Sequence, residues 1–492
     1  MAKRPKASEK SQLKLRKRLL LIPALALLVK ISIISRIQGF DWFAQGNGEI
    51  VPGLSLLLEN NYVPKNSWYG ADGENYLRGL LGLARDGLLS TEGKLSYWPA
   101  GYPLLMWPVL ILFKGAFFPA LAFIQSLLYA FACAFFVDEL TRTRLRKFAL
   151  LVAVFLTFNP TLALNTIAVG YELPAVSLSL ISVAALLRSF RLGRLKPLTI
   201  ENLVASTSFL LATFMQPRLI VLGFVVMLLW ALAQYPLKSA AVFLSFSTLV
   251  MLVAPAIMIW RNSNANGYAA ISTNLGTTMG IGAGPEATGG YNGKYNGVPC
   301  PEADSAKDPA EADNRRVRCI LKWYVLNPVD SAKLFWNKAR FFWSPWFGPE
   351  SNGTMARNPW RLNHPLNDWT KSQSGVDLIF GGIGKFISWI WMLGTITLLF
   401  LGFRILWRAG GLERLLGLGA FSFVLLNWLS SILTIGDNRF RIPSMGLSLV
   451  LQAIALQSVF LKKRDRLVGT SPAVAWPSLR WKAATRTDNL PS

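Results

Sequence analysis

Histidine occurs once in this 492-residue chain, at His364, and cysteine three times, at Cys133, Cys300 and Cys319. That set excludes a zinc-type ligand cluster, which needs several His and Cys side chains close together. Acids are scarce as well, with 26 Asp and Glu against 51 Lys and Arg, for a formal net charge of +25. A nucleic-acid binder would gather such an excess on one face. Here the basic residues fall in short clusters between apolar runs, so they read as membrane-topology signals and no nucleic acid is expected. No internal repeat of fixed period is present.

What fills the chain instead is hydrocarbon: 52% of residues are apolar, in long uncharged runs. The expectation is an all-α integral membrane protein, because only helices satisfy the backbone inside a bilayer with about twenty apolar residues. The basic tail 1–18 precedes an apolar run, Leu19 to Ile37, that is longer than a signal-peptide core and lacks a small-x-small site after it. It reads as a retained anchor. Further spans are expected near 117–137, 148–168, 172–189, 199–216, 218–236, 239–260, 379–403, 412–434 and 443–461. The total is about ten.

The positive-inside rule orients them. The basic clusters at 141–147, 188–196, Lys238, 404–408 and 462–466 all fall on the side of the N-terminal tail, which makes that side cytoplasmic. This holds only if "GYPLLMWPVLILF" (Gly101 to Phe113) lies in the interface rather than spanning. The layout is then tail 1–18, spans one to seven within 19–260 with an outer loop 39–119, a large outer loop 261–376, spans eight to ten within 377–461, and a basic tail 462–492. Gln216 to Arg218, "QPR", is the outer turn of a tight helical hairpin. Cys300 and Cys319 share the large outer loop, where they either pair as a disulfide closing about twenty residues or remain thiols.

One acidic stretch stands out. "ADGENY" (Ala71 to Tyr76) opens a helical pattern in which Leu77, Leu80, Leu81, Ala84 and Leu88 share a face. The helix should lie along the outer membrane surface. Asp72 reads as an N-cap and Glu74 as a first-turn acid complementing the helix dipole, and both also qualify as a carboxylate held at fixed depth for chemistry. The aromatic and proline-rich "YWPAGYP" (Tyr97 to Pro103) then folds the chain back to the membrane.

The sequence from Asp72 to Met106 resembles the first outer loop of GT-C membrane glycosyltransferases, similar to bacterial protein O-mannosyltransferases and aminoarabinose transferases. The pattern is Asp72, Tyr76, Gly87 and "PAGYP", with Gly87 one residue later than usual and Pro99-Ala100 in place of a double proline. Further segments follow in the family's order: Glu172 in "YELP", "RN" and "ISTNLG" (Arg261 to Gly276), "GPEATGGY" (Gly284 to Tyr291) and "GDNRFRIP" (Gly436 to Pro443). The resemblance implies GT-C architecture and transfer of a sugar from a polyprenyl phosphate donor to an acceptor hydroxyl, with inversion. It implies a bacterial inner (plasma) membrane, a site facing the periplasm or the outside, and a glycan, lipid or protein acceptor.

Asp72 falls at the family's catalytic acid. Arg439 and Arg441, outer arginines between two spans, suit a donor phosphate because guanidinium can donate two hydrogen bonds at once. They suit headgroup binding or a pair with Asp437 equally. Arg218 is a further phosphate candidate, although relatives carry the arginine before the proline and here Pro217 precedes it. Glu172 either caps a helix or orients the acceptor or a cation, and Glu74 could share that work. No metal ligand set is assigned; the outer carboxylates could hold a divalent cation or none. The glycines of "GIGAGP" (Gly280 to Pro285) lack the strand, helix and distant acid of a nucleotide loop. A transporter or flippase of lipid-linked saccharides is the alternative, but it should place ionisable groups within its spans, which are nearly bare here.

Overall fold

The computed structural model describes residues 21–24, 27–28, 70–114, 117–159, 161–162, 165–166, 169–193, 196–290, 297–343 and 382–460. The two basic tails, most of the expected first span at 19–37 and the 344–376 part of the large loop lie outside the described residues. So do the side chains of Asp72 and Glu74, whose backbone is described.

The regular structure among the described residues is helical. The order is α1 (Gly70–Asp86), a single-turn helix (Lys94–Tyr97), α2 (Gly101–Phe113), α3 (Phe117–Thr141), a 3-10 turn (Arg144–Phe148), α4 (Ala149–Phe158), α5 (Glu172–Arg191), α6 (Ile200–Met215), α7 (Leu219–Gln234) and α8 (Leu237–Asn266). Then come α9 (Leu275–Ile281), α10 (Pro309–Leu326), α11 (Pro328–Trp343), α12 (Gly382–Ala409), α13 (Gly411–Leu433), a second 3-10 turn (Asn438–Arg441) and α14 (Ile442–Phe460).

Six stretches are long and apolar enough to cross a bilayer: Ala120–Thr141, Glu172–Arg191, Leu237–Asn266, Trp389–Ala409, Gly411–Leu433 and Asn438–Phe460. The count of ten is therefore not reproduced among the described residues, and the differences have local causes. At 148–168 the helix α4 stops after ten residues, where Asn159 turns extended (φ −60°, ψ 120°) ahead of Pro160. A residue before proline is driven out of the helical region. The hairpin at Gln216 to Arg218 is present, but α6 and α7 have 16 residues each, so each rises ~24 Å, short of the roughly 30 Å hydrocarbon. Gly101–Phe113 is likewise a short helix of 13 residues, packed on α1 and α3.

The helices alternate in direction, and contacts between their ends show it. At one end Arg191 pairs with Glu139 at 2.9 Å, Gln457 donates to the Lys147 carbonyl at 2.7 Å, and Gln234 donates to Ser189 at 3.2 Å. The described residues of the clusters at 141–147 and 188–196, and Lys238, sit at this end. The opposite end gathers the start of α5, the α6–α7 turn and the start of α14. Helix α5 is the centre of the bundle, packed against α3, α6 and α14 with 89% of its span buried. Its Ser177 and Ser179 hydroxyls donate to carbonyls one turn back, and Ser182 donates to Ala205 of α6, so small polar residues allow close packing without orphaned groups.

Helix α1 departs from the expected face. Its buried residues are Tyr76, Leu77, Leu80 and Leu83, whereas Ala84 is exposed and Leu88 lies beyond the helix. Tyr76 rotates the buried stripe toward itself, because its ring meets Trp98 and Tyr102. Asp72 is inside the first turn rather than at the cap, since the helix starts at Gly70. The far end closes on Gly87, at φ +77°, whose N–H donates to the Leu83 carbonyl at 2.9 Å in a left-handed cap.

Helix α2 is fixed by contact with the last turn of α6. A Cβ on Gly101 would lie 1.8 Å from the Phe214 carbonyl oxygen, so no larger residue fits without moving backbone. Gly101→Ala should cost roughly 1–3 kcal/mol as an overpacking change. Gly93→Ala, where a Cβ meets nothing within 4 Å, is the control. Thermal unfolding of the two variants in detergent checks this, and equal shifts would refute the contact.

Candidate functional site

The site forms where three chain reversals meet at the end opposite the basic turns. Glu172 opens α5 and is 1% exposed; Oε1 accepts from Nε of Arg439 at 2.8 Å. Arg439 is presented by the 3-10 turn, whose start is capped by the Asp437 carboxylate accepting from the Arg439 N–H at 2.8 Å. Residues 267 apart in sequence thus form one ion pair, with Glu172 buried and Arg439 largely so.

Arg218, at the α6–α7 turn, reaches the same place. Its Nη2 donates to the Phe440 carbonyl at 3.4 Å, and its guanidinium lies over the Phe440 ring at 4.8 Å. Arg439 lies over that ring at 5.7 Å. The Phe440 carbonyl also accepts from Asn427 Nδ2 of α13 at 2.7 Å, which holds the turn in place. Arg218 is attracted by Glu172 and repelled by Arg439, and its buried Nε has no hydrogen-bond partner. Arg218 and Arg439 thus meet two carboxylates, Glu172, which accepts from the Arg439 side chain, and Asp437, which accepts from its backbone N–H.

The α1 helix enters through aromatic contacts. The Tyr76 ring packs edge-on against Tyr102 at 5.2 Å and Tyr171 at 6.5 Å, and Tyr171 is the neighbour of Glu172. Gln216 of the α6–α7 turn donates to the Tyr171 hydroxyl at 3.3 Å. The Tyr102 hydroxyl donates to Gln125 Oε1 at 3.1 Å and accepts from the Gly170 N–H at 3.0 Å, tying α2 and α3 to the residues before α5. Asp72 stands one helical turn before Tyr76, so its backbone is on the stripe that faces this cluster. Glu74 lies two residues on, at another azimuth of the helix.

Arg441 goes elsewhere. Its Nη1 donates to the Trp343 carbonyl at 3.0 Å and its guanidinium lies 5.9 Å from the Trp343 ring, which ties the turn to the end of α11. Of the residues selected from sequence, the structure brings Glu172, Arg218 and Arg439 together and places Arg441 on this separate contact. Arg261 is buried at the end of α8, donating to the carbonyls of Leu88 and Ser90 and so fixing the loop after α1. Cys300 and Cys319 form a disulfide. They and Glu302 form the one cluster of metal-ligating residue types found among the described residues, and with both sulfurs bonded to each other it offers no thiolate.

Gln125, Gln216, Phe440 and Lys338 carry no signal in their local sequence except the last. Lys338 lies in the buried stripe Leu334, Lys338, Phe341 of α11, a charge in an apolar helical face. Its ammonium donates to the Tyr324 hydroxyl at 2.7 Å and sits against the Tyr324 and Phe335 rings. A Cβ on Gly436 would lie 2.3 Å from the Lys338 Cα, so the residue before Asp437 is pressed against α11. Burial lowers the Lys338 pKa from 10.5 to about 7 and raises Tyr324 to a value above its ordinary range.

No protein-family model matches the chain, and a search of curated proteins finds no match. Among solved structures it is similar to the Archaeoglobus fulgidus oligosaccharyltransferase in complex with zinc and sulfate, at 12% identity over 89% of this chain and 49% of that one, TM-score 0.43. The apo form gives 13% over 90% and 50%, TM-score 0.44. The complex of that enzyme with an inhibitory peptide and a dolichol-phosphate gives 12% over 90% and 50%, TM-score 0.45. The chain spans about half the length of these structures.

Two measurements follow from this geometry. Removing one partner of a buried ion pair costs about 3–5 kcal/mol, so Glu172→Gln and Arg439→Gln should each destabilise the protein and the double variant should lose less than their sum. A double-mutant cycle on unfolding in detergent checks it; strict additivity would mean the pair is not coupled. For Lys338 the folded pKa is below the unfolded one, so the unfolded chain binds more protons between about pH 7 and 10.5. Stability should rise across that window relative to Lys338→Met, and be flat relative to it below pH 7. Unfolding of both proteins over this pH range supplies the difference, and a constant gap would show that Lys338 does not titrate there.

Proposed function

We propose that the protein is a membrane glycosyltransferase that moves a sugar from a polyprenyl phosphate to an acceptor hydroxyl at the outer face of a bacterial inner membrane. The observation that carries this reading is the meeting of Arg218 and Arg439 over Phe440, at the non-basic bundle end and beside the helix bearing Asp72. The Arg218 Nε is buried without a hydrogen-bond partner, and a lipid phosphate at this depth would offer it an acceptor of the right charge and shape.

In the proposed reaction the acceptor oxygen attacks the anomeric carbon from the face opposite the phosphate. Asp72 takes the hydroxyl proton as the new C–O bond forms. The bond to phosphate breaks with its electron pair on the phosphate oxygen, and Arg218 and Arg439 stabilise the growing charge. The sugar carbon inverts because one displacement occurs. Glu172 holds Arg439 at the correct height by accepting from Nε, so it acts as a positioning residue. Glu74 complements the α1 dipole. Arg441, held by Trp343, sets the turn from which Arg439 projects.

Asp72, Glu74 and Glu172 are oxygen ligands suited to a divalent cation. Glu172 accepts from Arg439 in this structure and would have to exchange that partner, so no step above is routed through a metal. The GT-C resemblance of the Asp72 to Met106 segment supports the donor class, with a glycan, a lipid or a protein as acceptor. Glu139, a buried acid of the described spans, pairs with Arg191 at the basic end, which suits a structural strut better than a translocation path.

Sugar transfer by the purified protein from a polyprenyl phosphate donor tests the assignment. Asp72→Asn should lower turnover about 10²–10⁴-fold while leaving donor affinity within a small factor. Arg218→Gln and Arg439→Gln should weaken donor binding, and Arg218→Lys, which keeps the charge and loses the fork, should fall between. Near wild-type turnover in Asp72→Asn rejects the base, and unchanged phosphate binding in both arginine variants rejects the clamp.

A further inference from the structure

The helical hairpin α10–α11 leaves a row of large apolar residues uncovered. Val325 is 78% exposed, Val329 68%, Leu326 66% and Trp336 64%, and Leu321 is exposed beside them. These residues follow a pattern. On α11, Val329, Lys333, Trp336 and Arg340 recur at i, i+4, i+7 and i+11, which is one face, while Leu334, Lys338 and Phe341 make the buried face. On α10, Arg318, Leu321, Lys322 and Val325 repeat the alternation of long basic and apolar side chains.

The charge on this surface is basic. Arg318, Lys322 and Lys333 are exposed, and the carboxylate on the same stretch, Asp330, pairs with Lys333 at 3.5 Å. Lysine interleaved with Val, Leu and Trp suits a helix lying in a membrane interface, where the stems stay in apolar surroundings and the ammonium reaches phosphate. A protein–protein interface has the opposite habit, since lysine is depleted from its core.

The surface is also continuous with the part of the bundle that meets lipid. The Arg340 guanidinium lies over the Trp389 ring at 5.6 Å, where α12 begins its apolar span. From there α12 exposes Phe386, Trp389, Ile390, Trp391 and Leu393. Trp336 stands one turn before Arg340, so the row runs from the lipid-facing side of α12 outward along α11 to the hairpin tip. Trp389 lies under the Arg340 guanidinium and Trp336 stands one turn away along α11, and tryptophan concentrates at membrane interfaces.

We propose that the α10–α11 hairpin docks onto the bilayer surface around the bundle, with Val325, Leu326, Val329 and Trp336 at the boundary of headgroups and acyl chains and Arg318, Lys322 and Lys333 on anionic lipid phosphates. The opposite end of α11 carries Lys338 against Gly436 and the Trp343 carbonyl on Arg441. Docking at one end therefore sets the height of the 3-10 turn at the other. This inference rests on membrane embedding and not on glycosyl transfer, so its failure would leave the proposed reaction standing.

The test uses the full chain in lipid nanodiscs, with a fluorophore on Val329→Cys and lipids brominated near the headgroup end of the acyl chain. Cys300 and Cys319 are paired and Cys133 is buried, so the new thiol is the accessible one among the described cysteines. Lipid bromines should quench the probe in discs containing anionic phosphatidylglycerol, and soluble iodide should not. With Lys322→Glu and Lys333→Glu added, lipid quenching should fall at least roughly twofold, since each basic residue near an anionic surface contributes about 1 kcal/mol. A probe open to iodide and untouched by bromine overturns the proposal. So does shielding that persists in detergent and grows with protein concentration, which would assign the face to a second copy.

Discussion

The ion pair between Glu172 and Arg439 joins parts of the chain that lie 267 residues apart in sequence. One partner opens the central helix α5 and the other belongs to a four-residue 3-10 turn between α13 and α14. An ion pair removed from water is stable only if its remaining polar atoms are also satisfied and its geometry is held from outside. The surrounding contacts do this. Asp437 caps the turn, Asn427 holds the Phe440 carbonyl, and Tyr171 beside Glu172 is fixed by Gln216 and Tyr76. Arg218 adds a second guanidinium to a space already containing one, over the same Phe440 ring and with its buried Nε lacking a hydrogen-bond partner.

That turn is also clamped from outside the bundle. Helix α11 lies across it, with Trp428 of α13 donating to the Ala339 carbonyl at 3.1 Å, Arg441 donating to Trp343 and Gly436 pressed on Lys338. The large loop is therefore part of the frame that sets the height of Arg439. Lys338 adds to this contact a buried ammonium with a single tyrosine hydroxyl as its described hydrogen-bond partner, so burial disfavours its charged form.

Much of this was legible in the sequence where one kind of force dominates. The positive-inside clusters placed 141–147, 188–196 and Lys238 at one end, and the helix-end contacts of their described residues agree, because charge asymmetry is written residue by residue. The α6–α7 turn at Gln216 to Arg218 was visible for the same local reason, a proline between two apolar runs. Helix length was harder. Hydropathy runs through Asn159 and Pro160 without a break, whereas backbone sterics stop α4 there. The buried face of α1 was shifted by Tyr76, whose partners Trp98, Tyr102 and Tyr171 come from two other segments, so no periodicity within α1 could reveal it.

The two arginines of "NRFR" show the limit most directly. Sequence gives Arg439 and Arg441 the same charge, the same outer position and the same suitability for phosphate. A 3-10 turn advances about 120° per residue, so residues two apart point to different sides. One therefore meets Glu172 across the bundle and the other meets Trp343 at the end of α11. Their division of labour follows from the pitch of four residues. That pitch is set by the Asp437 cap, which a scan for basic residues near a membrane end does not weigh.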